Sequence, residues 1–208
     1  MKKFELTIIL TLVFSMVLGL SNFSAFAKGC TEIRSEVLRL HILANSDSEE
    51  DQGLKLKVRD AVLAEGKDIF DGARDLLAAE KSIDSQMERL ENIARETIRE
   101  NGYNYDVQVA LSKEFFNTRT YDGVTLPAGE YNALRIVIGS GEGHNWWCVM
   151  FPPMCLPAAE SEATIDTVLE EDEMKIVTSN PKYEVKFKIV EVVEELKAKI
   201  KDRDVYKR

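Results

Sequence analysis

Histidine is almost missing from this chain: His41 and His144 are the only two in 208 residues. Cysteine is nearly as scarce, limited to Cys30, Cys148 and Cys155. Ligands this few and this scattered do not make zinc-binding spacing, so no metal site is expected. Basic side chains are outnumbered 27 to 36, for a net charge of −9. That balance repels a nucleic-acid backbone and disfavours adhesion to anionic lipid. A phosphate-binding loop is lacking too. The one glycine-rich run, Gly139-Ser-Gly-Glu-Gly143, is followed by His-Asn-Trp-Trp-Cys-Val. Those residues do not open a helix, and Glu142 would repel a phosphate. The run reads better as a flexible loop whose glycines let the backbone pass close to large neighbours. No cofactor, nucleic acid or small-molecule substrate is expected.

What is present is concentrated. The only two tryptophans, Trp146 and Trp147, lie in the eleven-residue run Asn145 to Cys155, with two of the three cysteines and two of the five prolines. Aromatics, prolines and a cysteine pair this close imply a rigid apolar structure that either plugs a core or presents a recognition surface. Neighbouring strand residues point to opposite faces, so one indole would fill the core while the other faces out or lies under the glycine loop. An outward tryptophan beside Phe151 and Pro152-Pro153 would make a protein-binding hot spot.

The amino terminus has the three-part pattern of a secretory signal. Lys2 and Lys3 precede an apolar run from Leu6 to Leu20, and Ala25-Phe26-Ala27 supplies small residues for cleavage after residue 27. An uncleaved anchor is the alternative, although a spanning helix needs about 20 apolar residues. Lipidation at Cys30 fits poorly, because Lys28 lies two residues before it. Removing 1–27 leaves 181 residues, enough for one domain with a real core, and moves the net charge to −10. Export permits disulfides. Cys148 and Cys155 are seven apart, and a turn at Pro152-Pro153 would bring them together; three thiols, some buried, is the other reading.

Along the chain, Leu38, Leu40 and Ile42 alternate with Arg39 and His41, which predicts a strand with one buried face and His41 on its polar side. Ser48 with Asp51 resembles a capping box opening a helix that should stop near Gly66. Residues 68–81 read as irregular or a short helix. Ile83 to Asn101 is the clearest helix, closed by Gly102. Tyr105 to Leu111 alternates as a second strand, Asp122-Gly123 and Pro127-Ala-Gly129 are turns, and strands follow between Glu130 and Gly139 and from Trp147 to Phe151. The organisation expected is a signal peptide at 1–27, a domain at 35–157, an acidic linker at 158–182 and an amphipathic helix at 183–205. The fold class is α+β: one domain of about four mostly antiparallel strands packed with two or three helices, plus the C-terminal helix.

Two chemical arrangements merit weighing. His144 lies four residues from Cys148, within reach of a cysteine–histidine nucleophile pair, but a surface histidine in a glycine loop is the commoner case. Arg135 should face away from Leu134 and Ile136; it would pair with Glu130 or Glu142, or meet a partner's carboxylate.

Several segments resemble one known family. They are Leu38-Arg-Leu-His-Ile-Leu-Ala-Asn-Ser-Asp47, Gln52 to Val62, Pro127-Ala-Gly-Glu-Tyr131 with Ala133-Leu-Arg135, and Gly141-Glu-Gly143 with Asn145-Trp-Trp-Cys-Val-Met-Phe-Pro-Pro-Met-Cys155. In this order, from about Val37 to Leu156, they are similar to stage II sporulation protein R of endospore-forming Firmicutes. Residues 158–208 lie outside the resemblance. It implies a protein that is not an enzyme: it is made in the forespore and secreted into the space between the forespore and mother-cell membranes. There such proteins trigger a membrane-embedded aspartic protease that processes pro-sigma-E. The family carries no catalytic residues to transfer. Cys148 and Cys155 match cysteines of its motif, and their pairing is an inference. The expected partner-binding residues are Asn145, Trp146, Trp147, Phe151, Pro152, Pro153 and Arg135. A secreted cysteine hydrolase acting on cell wall, with Cys148 and His144, is the rival.

Overall fold

The computed structural model describes residues 3–70, 72–121, 123–154, 164–178 and 181–205. They gather into two compact units: residues 34–116 with 130–171, and residues 1–33 with 117–129 and 172–208.

The first unit is α+β, as the periodicity predicts. Strand β1 (Leu38–Leu43) is followed by α2 (Glu49–Ile69), α3 (Leu76–Ser85), α4 (Met87–Glu100), β2 (Val107–Phe116), β5 (Gly129–Ile138) and β6 (Asn145–Phe151). The sheet order is β2-β5-β1-β6. Strand β1 runs parallel to β5, in register Leu40↔Leu134, and antiparallel to β6, in register His41↔Trp147. The sheet is therefore mixed. The α2–α4 segment, with β2, makes the long crossover that a parallel pair needs.

One face of the sheet packs against the helices. Leu38, Leu40 and Ile42 from β1, and Leu134, Ile136 and Ile138 from β5, join Leu54, Val58 and Val62 of α2 and Leu90, Ala94 and Ile98 of α4 in one core. The helix ends follow local chemistry. Ser48 Oγ accepts from the Asp51 amide at 3.1 Å and opens α2. Asp75 Oδ1 accepts from the Ala78 amide at 2.8 Å and opens α3. Gly102, at φ +84°, closes α4 while the Tyr103 amide reaches back to the Ile98 carbonyl at 3.1 Å.

Three expectations need correction. Helix α2 runs through Gly66 to Ile69, because Ile69 and Phe70 are buried and pull the helix on. The single helix expected over 83–101 is broken at Gln86 (φ −117°, ψ 13°), so Ile83 belongs to α3. Neither glycine nor proline marks the break, and the apolar spacing continues across it. Strand β1 is buried on both faces: Arg39 is 0% exposed and His41 4%.

The second unit contains α1 (Lys3–Glu36) up to Ile33, the hairpin of β3 (Arg119–Tyr121) and β4 (Val124–Leu126), most of α6 (Glu171–Val177), and α7 (Pro181–Val205). The hairpin sits at the expected turn, where Gly123 takes φ +87° and Asp122 is outside the described residues. Phe26, Cys30, Phe187 and Val190 form its buried cluster, with Phe23, Ile176 and Tyr183 packed on it. The terminal helix is present where expected. In the stretch read as a solvated linker, however, residues 165–168 form α5 and 171–177 form α6. Leu169 and Val177 are buried and supply the anchoring that the acidic composition hides. Residues 155–163 and 179–180 of that region lie outside the described residues.

Candidate functional site

Consecutive tryptophans at the start of β6 do point to opposite faces. Trp146 is half-buried against the helix-side core, and the Arg59 guanidinium of α2 lies 4.3 Å from its ring centroid. Trp147 is half-buried on the other face. It stacks on His41 at 3.8 Å with planes 12° apart, and meets Phe116 edge-on at 4.8 Å.

That second face holds a layer the sequence reading missed. Arg39 is fully buried, with its guanidinium 4.3 Å from the Phe116 centroid and 5.0 Å from that of Tyr131, and its Nε donates to the Cys148 carbonyl at 3.1 Å. His41 Nδ1 lies 3.6 Å from Glu114, too far for a full hydrogen bond. Burial pushes the His41 pKa down, opposed by Glu114 and reinforced by Arg135. The signal available was aromatic: Phe116, Tyr131 and Trp147 fall on one face of their strands and offer ring surfaces to a guanidinium and an imidazole.

Two loops hold the tryptophan end of β6 in place. Ser140 donates its amide to Asn45 Oδ1 (3.0 Å) and its hydroxyl to the Asn45 carbonyl (2.7 Å). The Gly143 amide donates to the Ala44 carbonyl at 2.9 Å, and buried Lys55 donates to the His144 carbonyl at 2.8 Å. Asp47 accepts from the His144 amide at 2.6 Å and pairs with its exposed ring at 2.5 Å. The glycine run thus serves close approach. A Cβ on Gly143 would stand 2.2 Å from the Ser46 carbonyl oxygen, which is backbone and cannot swing away. Gly143→Ala is expected to destabilise the domain by about 1–3 kcal/mol. Gly53→Ala, in α2 with nothing within 4 Å, should instead stabilise it by about 0.5–1 kcal/mol. Urea titration of the two variants checks the opposite signs.

Asp51 centres this lock. It is buried, and its carboxylate accepts from Asn45 Nδ2 at 2.9 Å and Ser46 Oγ at 2.6 Å. Desolvation raises its pKa, but the bonds from Ser46, Asn45 and Tyr105 outweigh that and leave it below its ordinary 3.8. A carboxyl depressed in the folded state binds fewer protons there than when unfolded. Its contribution is complete above the unfolded value and is lost as pH falls through the folded one. The urea midpoint should therefore drop as pH falls below about 5, and less steeply in Asp51→Asn. Equal slopes in the two proteins would remove Asp51 from this role.

The expected partner-binding residues are not one patch. Asn145 is exposed, and Trp146, Trp147 and Arg135 are partly so. Phe151 is 0% exposed and packs on Phe70, with centroids 5.6 Å apart, and Pro152 is buried. Both are core, because the far end of β6 passes under α2's C-terminal turn residues. Pro153 is half-buried. At about 3.4 Å per residue, Trp146 and Pro152 stand roughly 20 Å apart along the chain, so the two halves of the run separate. Arg135 faces away from Leu134 and Ile136 as expected, yet its nearest carboxylate is Glu114, at 3.5 Å, not Glu130 or Glu142. Cys148 is disulfide-bonded and sits in the helix-side core, while His144 points to Asp47. Cys155 lies outside the described residues, and Cys30 is buried in the other unit. Among the described residues no cluster of three or more His, Cys, Asp or Glu side chains could hold a metal.

Fold and site together define an α+β domain whose distinctive feature is a strand end carrying two braced indoles, in a chain that also has a long apolar N-terminal helix. The family model described as stage II sporulation protein R (spore_II_R) matches residues 34–161, and the chain belongs to that family. It is 43% identical over 126 residues to "Stage II sporulation protein R" of Bacillus subtilis (strain 168), a match covering 59% of this chain and 55% of that relative. No solved structure matches the chain.

Proposed function

We propose that this protein is an exported sporulation signal that activates the membrane-embedded aspartic protease processing pro-sigma-E in the mother cell. Family membership supports the sporulation setting. An apolar N-terminal helix is compatible with export through a signal sequence or with an anchor. The observation that carries the site is the strand end at Asn145-Trp146-Trp147, half-open to solvent and braced from both sides by Arg59, His41 and Phe116. Bracing fixes the indoles before binding, which reduces the entropy lost on association.

A ligand activates only by binding the active state more tightly than the inactive one. The indole edge, with Asn145 and Arg135 nearby in sequence register, is the surface that would make this distinction on the protease. The cysteine-hydrolase reading is disfavoured, since a sulfur held in a disulfide is not a thiolate nucleophile.

The test is processing itself. Sporulating cells lacking this chain should accumulate pro-sigma-E, and resupply from the forespore should restore cleavage. Normal processing in its absence would end the proposal, as would turnover of a small substrate by the isolated chain.

A further inference from the structure

We infer that α1 is retained rather than removed, with its apolar first part in a lipid bilayer and its second part built into the folded second unit. This goes beyond the signalling role and does not depend on which protease is bound.

The helix is continuous from Lys3 to Glu36 and passes without a break through Ala25-Phe26-Ala27, the expected cleavage segment. Its two parts differ sharply in packing. From Phe4 to Leu20 the side chains are exposed all round, with Phe4 at 76%, Leu12 at 65% and Met16 at 66%. None of its most apolar eighteen-residue stretch is buried. A helix apolar on every side and packed on nothing is suited to hydrocarbon, not to water. Lys3 to Leu20 spans about 27 Å at ~1.5 Å per residue, close to the ~30 Å of a bilayer core.

Beyond Leu20 the same helix becomes a structural element. Phe26 is 4% exposed, stacked on Tyr183 at 5.4 Å and edge-on to Phe187 at 5.2 Å. Asn22 accepts from Lys186 at 2.6 Å. Gly29 packs so tightly that a Cβ there would lie 2.5 Å from Ile176 Cδ1, and Cys30 is 0% exposed. Cutting after Ala27 would take Phe23 and Phe26 out of a cluster whose other buried members are Cys30, Phe187 and Val190. Peptidases act on exposed, locally unfolded chain. Here the segment to be cut is helical, and its central residue is buried between two aromatic rings. Folding of the second unit therefore protects the site that the sequence pattern advertises.

The experiment uses the full chain with a C-terminal epitope tag, produced in an exporting bacterium. Mass spectrometry reads its N-terminus, and alkaline carbonate extraction separates integral from peripheral material. The expected result is a chain still carrying residues 1–27, pelleting with membranes after carbonate and degraded by protease added outside the cell. Three results would overturn the inference: a chain beginning at Lys28, an intact chain released by carbonate, or an intact soluble oligomer in which a second copy covers the apolar helix.

Discussion

Alanine in place of Trp147 is expected to abolish sigma-E processing while leaving the domain folded. The indole has two sides. Its inner side stacks on His41 at 3.8 Å and meets Phe116 at 4.8 Å, and the ring as a whole is half-buried. Loss of the inner contacts should cost about 2–3 kcal/mol, below the 3–5 kcal/mol of a fully buried aromatic. The helix-side core, built on the opposite face around Leu40, Val58, Leu90 and Ile136, does not use Trp147. A domain of ordinary stability survives such a loss at 25 °C. Loss of the outer surface falls on the partner, where truncating a central indole removes about 2 kcal/mol or more, roughly 30-fold in affinity. Immunoblots of pro-sigma-E in sporulating cells, paired with thermal melts of the purified variant, separate the two effects. Trp147→Phe keeps a ring over His41 and should restore folding stability more fully than signalling. Parental rates of sigma-E processing in cells carrying a folded Trp147→Ala chain would remove the strand end from the mechanism.

The sequence made some of this legible and hid the rest for physical reasons. Period-two alternation located β1, β2 and β5, and the two tryptophans were rightly placed on opposite faces, because pleating alone dictates that. The helix-side core was visible in Leu90, Ala94 and Ile98 at helical spacing. Arg39 and His41 were not legible as interior residues. Polar side chains alternating with leucines ordinarily mark a wet face, and only pairing across three strands shows that Phe116, Tyr131 and Trp147 cover them. Arg135 illustrates the same limit: its carboxylate, Glu114, comes from β2, twenty-one positions away, and nearby Glu130 and Glu142 were false leads. The Asn145–Cys155 run misled differently. Proximity in sequence suggested one patch, but an extended strand spends about 3.4 Å per residue and separates the indoles from the prolines. The amino terminus carries a genuine ambiguity. Signal peptides and anchors share an apolar core, and the packing of Phe26 and Gly29 is something composition cannot express.

Arg39→Ala should produce the largest stability loss of any single substitution in the sheet. The side chain is 0% exposed, its guanidinium lies against Phe116 and Tyr131, and its Nε donates to the Cys148 carbonyl on the neighbouring strand. Alanine removes the aliphatic stem, two cation–π contacts and a charge-assisted hydrogen bond at once, and opens a cavity between two aromatic rings. Breaking a buried charged arrangement in this way costs about 3–5 kcal/mol, a third or more of the stability of a domain in the usual range of about 5–15 kcal/mol. Arg39→Met tests which part matters. Methionine refills much of the volume, and replacement of a buried charge by a well-packed apolar chain is often neutral or stabilising. If the guanidinium acts mainly as a shaped filler between rings, the methionine variant recovers most of the loss. If its bond to the Cys148 carbonyl dominates, methionine stays close to alanine. Urea denaturation followed by indole fluorescence reads both, since Trp147 belongs to the same aromatic layer. An alanine variant within about 1 kcal/mol of the parent, the size of an ordinary substitution, would mean that this layer is packing without consequence and that the helix-side core alone holds the sheet.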